Sequence, residues 1–189
     1  MFNFRTQFAP GYAIVDGVPN KDATISDAFA PAYTLLALGM DYKPNDKFSA
    51  FISPVTMKNT IVMDDVLSAA GAFGVEKGKN FRAELGGYVK LQYSTELVKN
   101  VGLATKIDLF SNYLNNPQNI DVNWETLISM KINEFMTATI ATQLLYDHDI
   151  NIVKEQPVVD ENGVVTDAGS IGPGVQFKEV LGIGFSYKF

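Results

Sequence analysis

Hydrophobic and polar residues alternate along most of this chain, the period-two pattern of strands with two unlike faces. In FRAELGGYVKLQYSTEL, Phe81, Ala83, Leu85, Gly87, Val89, Leu91, Tyr93, Thr95 and Leu97 share one face. Arg82, Glu84, Gly86, Tyr88, Lys90, Gln92, Ser94 and Glu96 share the other. A helix would scatter Arg82, Glu84, Lys90 and Glu96 around its axis, so the segment reads as a strand. The same alternation runs through Phe2–Phe8, Ala32–Lys43, Phe48–Val55, Val101–Tyr113, Ile120–Ile132, Met136–Tyr146 and Phe177–Phe189, predicting eight strands in all.

The connections differ in length. Pro44–Asp46, Val98–Asn100 and Asn133–Glu134 read as tight turns, and Asn115–Asn119 is intermediate. Phe8–Pro31, Thr56–Asn80 and Asp147–Gly174 are long. Tight and long connections fall at opposite ends, which describes an all-β, antiparallel up-and-down meander in a single domain over residues 1–189.

Such alternation suits two architectures of opposite polarity. A soluble lipocalin-like carrier turns its apolar face inward onto a small hydrophobic ligand. An outer-membrane barrel turns it outward to lipid. Runs of 11 to 17 residues exceed the ~5–6 of soluble strands and reach the ~9–11 that a spanning strand needs. Glu84, Lys90, Lys106, Asp108 and Glu125 sit mid-strand yet keep to one face. Aromatic residues gather near the strand ends on the apolar face: Tyr42, Tyr93, Phe185 and Tyr187 towards the tight turns, and Phe8, Phe81, Tyr113, Tyr146 and Phe177 towards the long loops. The expectation is therefore a transmembrane β-barrel in a Gram-negative outer membrane. In lipid every backbone N–H and C=O needs a partner, so the sheet is expected to close.

Composition narrows the chemistry. No apolar run exceeds a few residues, as in LLAL at Leu35–Leu38, far short of the ~20 of a spanning helix. The chain has no Cys and one His, which excludes disulfide and thiol chemistry and gives zinc a poor ligand set. A net charge of −6 argues against nucleic acid as a partner. The opening MFNFRTQF has neither the charged nor the apolar region of a signal peptide, so a secreted chain would be met here in mature or truncated form. No cofactor is expected.

Four longer stretches carry a resemblance: FRTQFAPGY (Phe4–Tyr12), ISDAFAPAYTLLALGMDYKPN (Ile25–Asn45), FSAFISPVTMKNTIV (Phe48–Val62) and the ending LGIGFSYKF. Together they resemble a family of bacteroidete-type outer-membrane barrels of unknown function. The resemblance implies location and architecture, and no catalytic residue. It also implies a signal peptide and further strands ahead of FRTQF, making this chain the C-terminal portion of a larger barrel. Closure with eight strands and an open curved sheet are the two alternatives, the latter leaving Phe2–Phe8 and Phe177–Phe189 as sticky edges.

The polar face holds the best constellation. A turn at Lys99 sets Lys90 opposite Asp108 and Gln92 opposite Lys106. Letting Tyr113 face Ile120 sets Asp108 opposite Glu125 and Asn112 opposite Asp121, and the next turn sets Glu125 opposite Gln143. Lys90, Lys106, Asp108, Glu125 and Gln143 then form one inward cluster with Arg82 and Glu84 above it. Mixed-sign pairs of this kind read first as structural neutralisation of a narrow lumen, and second as a conducting filter. A catalytic carboxylate is disfavoured, because no nucleophile–base pair accompanies it.

DHDIN (Asp147–Asn151) echoes the start of a calcium loop, but Ile152 and Val158 stand where Gly and Glu are required. It reads as an acidic solvated loop carrying a surface His148. GAFGVEKGKN (Gly71–Asn80) reads as a flexible loop. Phe185, Tyr187 and Phe189 at the end resemble the signal by which outer-membrane assembly machinery recognises a strand. The functional expectation is a non-enzymatic outer-membrane barrel with a structural or porin-like passive-transport role, in contact with lipid and the assembly machinery. An outer-membrane lipid-modifying enzyme is the third alternative, weakened by a sole histidine placed in a loop.

Overall fold

A computed structural model describes residues 1–15, 18–155, 158–159, 165–167 and 169–186. Its strands are β1 (Phe2–Thr6), β2 (Gly11–Val15), β3 (Val18–Ser26), β4 (Ala32–Tyr42), β5 (Phe48–Ile61), β6 (Phe81–Val98), β7 (Val101–Asn112), β8 (Ile120–Lys131), β9 (Met136–Glu155), β10 (Val158–Val159), β11 (Val165–Asp167) and β12 (Ser170–Phe185). Eight of them form one antiparallel sheet in the order β1-β4-β5-β6-β7-β8-β9-β12, while β2–β3 and β10–β11 make separate two-stranded pairs. All eight predicted strands are the eight of this sheet. Among the described residues β1 pairs only with β4 and β12 only with β9, so the sheet is open, the second of the two alternatives, and not closed with eight strands.

The sheet is nonetheless curled. Neighbouring strands lie ~4.7–4.9 Å apart, so β5 and β8 would stand roughly 14 Å apart in a flat sheet. Lys58 Nζ of β5 lies 2.8 Å from Asp121 Oδ2 of β8 and 3.6 Å from Asp147 Oδ2 of β9. Only a rolled sheet brings those side chains together. The rolled-in face is the polar one.

The strands run further than alternation suggested at the long-connection end, and in β5 a bulge is the reason. Up to Ile52 the even positions of β5 face outward; from Val55 the odd positions do, because the register slips between Ser53 and Thr56. Ser53 Oγ donates to Leu38 O and Val55 O, each at 2.8 Å, and Thr56 Oγ1 bonds Ser53 Oγ at 2.8 Å. The facing position is Gly39, where a Cβ would sit 2.6 Å from Ser53 Cα and closer still to Ile52 O, so no side chain fits. Beyond the bulge, residues expected to begin a loop continue the wall and turn Lys58 inward.

The long Phe8–Pro31 connection holds the β2–β3 hairpin. One further expectation is corrected. Gly71–Asn80 is not simply a flexible loop: it starts at the cap of a short helix, α1 (Asp65–Ala70), and continues through a 3-10 turn, Ala72–Gly74. Asp64 caps α1 by accepting from Leu67 N at 2.7 Å, and Gly71 ends it in the left-handed region at φ 72°. Ala30, Val62, Leu67 and Val75 bury one another there, with Ala72 and Phe73 packed alongside. This small apolar cap sits at the end of the sheet where the long connections lie.

Candidate functional site

The inward face carries two polar tiers. The first lies beneath the cap and centres on Lys58. Its ammonium reaches Asp121 at 2.8 Å, Glu84 at 3.5 Å and Asp147 at 3.6 Å, and stands 4.9 Å over the Phe110 ring. Arg82 bonds Glu84 at 2.7 Å, pairs with Asp149, and donates to Gly74 O at 3.2 Å, which ties the cap to the network. Glu84 is only 2% exposed and also accepts from Asn112 Nδ2 at 3.4 Å. Four carboxylates thus face two cations, an arrangement that only close pairing makes tolerable away from water.

The second tier lies towards the tight turns. Lys106 meets Glu125 at 3.1 Å and Asp108 at 3.5 Å. Tyr88 donates its hydroxyl to Asp108 Oδ1. Asn123 donates to Glu125 at 3.0 Å and Asp108 at 3.4 Å, and accepts from Gln143 Nε2 at 2.8 Å. Every member is held by a partner on a neighbouring strand, or two positions along its own, so the tier is rigid.

The predicted inward residues therefore all lie on this face, but not all touch as expected. Lys90 is opposite Asp108 and Gln92 opposite Lys106 as expected, the register being set by a one-residue shift between Glu96 and Val98 next to the turn. Glu125 is opposite Gln143. Asp108, however, faces Asn123, Asp121 faces Phe110, and Glu125 faces Lys106. The cause is the intermediate connection: Ser111, not Tyr113, pairs with Ile120, a slip of two that keeps the faces but changes the partners. Lys90, although opposite Asp108, makes no ion pair among the described residues; Asp108 is served by Lys106 and Tyr88 instead.

Reading Asp147–Asn151 as a solvated loop is overturned as well. The segment lies within β9; Asp147 is 8% exposed and pairs with Lys58, and Asp149 pairs with Arg82. His148 Nδ1 lies 3.1 Å from Tyr146 Oη. Of the predicted terminal signal, Phe185 ends β12 on the outer face at 78% exposed, while Tyr187 and Phe189 lie outside the described residues.

Two cavities follow the inward face. One of about 250 Å³ runs from Asn3 and Arg5 of β1 past Lys58, Lys90 and Asp108 to Asp147 of β9. The other, about 710 Å³, opens at the tight-turn end. Among the described residues no three His, Asp or Glu side chains converge in a way that would hold a metal ion. No protein-family model, curated protein or solved structure matches the chain, so function is argued from geometry.

Proposed function

We propose that this chain forms the wall of a non-enzymatic outer-membrane β-barrel of a Gram-negative bacterium, with a polar lumen narrowed by its own ion pairs. The observation that carries the reading is the inversion of its two faces. Glu84 and Asp147, with Ser53, Thr56 and Thr60, are buried on the inward side. Phe2, Phe4, Leu36, Leu38, Met40, Ile52, Val55, Met57, Leu181, Ile183 and Phe185 are exposed on the outward side. In water each large apolar side chain left bare forfeits ~1.5–3 kcal/mol, and a continuous apolar belt is an association hazard. In lipid the same belt is at home. A lipocalin-like carrier needs the opposite polarity.

Height supports the same reading. From Phe81 to Tyr93 on β6, both exposed aromatics, is twelve residues. At ~3.4 Å per residue and a tilt near ~40°, they stand roughly 30 Å apart along the membrane normal, enough to flank the ~25 Å apolar band of such barrels. No helix among the described residues is long and apolar enough to cross a membrane, so any crossing falls to the strands. The Lys58 tier bridges non-adjacent strands over the inward face, the Lys106 tier ties neighbouring ones, and with the cap they favour a structural wall over a wide pore.

The test is membrane extraction followed by electrophysiology. The expected result is a protein that resists carbonate and urea washes and needs detergent for release, and that gives at most small conductance steps in planar bilayers. Recovery in the wash without detergent refutes the membrane reading, and large stable steps refute the narrowed lumen.

A further inference from the structure

The tight-turn cavity is lined by a single register row. Ser49 of β5 pairs with Gln92 of β6, and Gln92 with Lys106 of β7. Lys106 pairs with Glu125 of β8, Glu125 with Gln143 of β9, and Gln143 with Lys178 of β12. Six strands thus each give one polar side chain at one level, and all six residues line the cavity of about 710 Å³. Lys43, Asp46 and Lys47 of the β4–β5 turn line it too.

The charges on this lining do not cancel. Four lysines, Lys43, Lys47, Lys106 and Lys178, face Asp46 and Glu125. Lys106 is committed to Glu125 and Asp108, and Lys43 lies 3.6 Å from Asp46. Lys47 and Lys178 make no ion pair among the described residues, although both face the same space. The tier beneath the cap has the opposite imbalance, so the inward face is electrically polarised from end to end.

Lumen rings of lysine select anions, and Ser49, Gln92 and Gln143 add neutral hydrogen-bonding groups to this lining. The cavity falls in the ~300–1,000 Å³ range of small-molecule sites. We propose that this lining binds a small polyvalent anion whose charges are carried by carboxylate or phosphate groups. The proposal rests on the reading of the inward face as a lumen, but binding is measurable whether or not the lumen conducts.

The experiment is calorimetric titration of the detergent-solubilised full chain at ~0.15 M ionic strength, with citrate in one arm and inorganic pyrophosphate in the other. Saturable binding of at least one is expected, and the stronger arm assigns carboxylate or phosphate chemistry. Losing two charge-assisted contacts in Lys47→Gln/Lys178→Gln is expected to weaken it about tenfold or more. Lys178→Gln alone serves if the double variant folds poorly. Lys131→Gln, on the same face but outside the row, should change nothing. No saturable binding of either anion, or unchanged affinity in the lining variants, overturns the proposal. Recovery of the chain in detergent-free washes would instead refute the membrane reading, so the two failures are separable.

Discussion

The sharpest test of the inverted faces is a lysine ladder along β4. Leu38 is 78% exposed on the outer face, between Leu36 and Met40, and its register partner across the sheet is the exposed Val55. Leu38→Lys therefore removes almost no packing. In water such a surface change should move stability by no more than ~0.5 kcal/mol. In a bilayer a lysine at the midplane of a barrel wall costs ~2–4 kcal/mol, falling to ~0–1 near the interfaces. Tyr42 is four residues from Leu38, about 13 Å along the strand and, at a ~40° tilt, about 10 Å along the normal. That distance nearly spans half of a ~25 Å apolar band. Leu36→Lys and Leu38→Lys should thus cost several times more than Tyr42→Lys. The assay is reversible guanidinium unfolding in lipid vesicles, read by the single tryptophan, Trp124, which sits on the outer face of β8. A flat profile, with all three variants within ~0.5 kcal/mol of the parent, would show that no lipid covers this face.

The polar tiers make separate predictions. Lys58→Met strands Asp121 and Asp147 and should cost about 3–5 kcal/mol in the same unfolding assay, with partial recovery on adding Asp121→Asn; a neutral result would mean the tier is solvated. Lys106→Glu and Glu125→Lys should each impair folding and their combination restore it, whereas Lys90→Gln, which breaks no ion pair, should stay within about 0.5 kcal/mol. Gly39→Ala pushes a methyl onto Ser53 and should cost ~1–3 kcal/mol or more by chemical denaturation, while Gly102→Ala, with open space around it, should be silent; equal behaviour would refute the bulge.

Alternation made the wall legible because a strand with two different faces repeats every two residues whatever lies on either side. Register was legible where the connection is short: alternation has to match polar with polar across β6 and β7, and a one-residue shift between Glu96 and Val98 sets Lys90 against Asp108. The longer β7–β8 connection left a slip of two open, and the partners of Asp108 and Asp121 were misread in consequence. Lys58 was missed because the bulge at Ser53–Thr56 reverses the parity of β5, and the Pro54 beside it mimics the end of a strand. Asp147 and Asp149 were missed because acids near a chain reversal look like a solvated loop. The signal was present: both continue the odd-numbered inward row that begins earlier in β9 and includes Gln143. Acids confined to one parity of a lengthened strand mark the inward face of a sheet rather than a loop.

The same inversion bears on what holds the molecule together. Its one buried apolar cluster among the described residues belongs to the cap, while Ser53, Thr56 and Thr60 are among the most buried residues of the sheet. Small hydroxyl residues bury little apolar area, so cohesion rests on the backbone ladder, the ion pairs across the curl, and whatever surrounds the outer face. The outer edges of β1 and β12 are then the weakest lines in the structure. In water their unpaired N–H and C=O groups would be solvated; in lipid each would cost several kcal/mol. The membrane reading therefore demands a strand partner for both edges, either each other or strands from elsewhere. The curl already carries β1 part of the way: Asn3 and Arg5 line the same cavity as Asp121 and Asp147, five and six places along the sheet. A flat, soluble sheet would have no reason to bend its polar face so tightly, whereas a wall that has to complete its hydrogen bonds in lipid does.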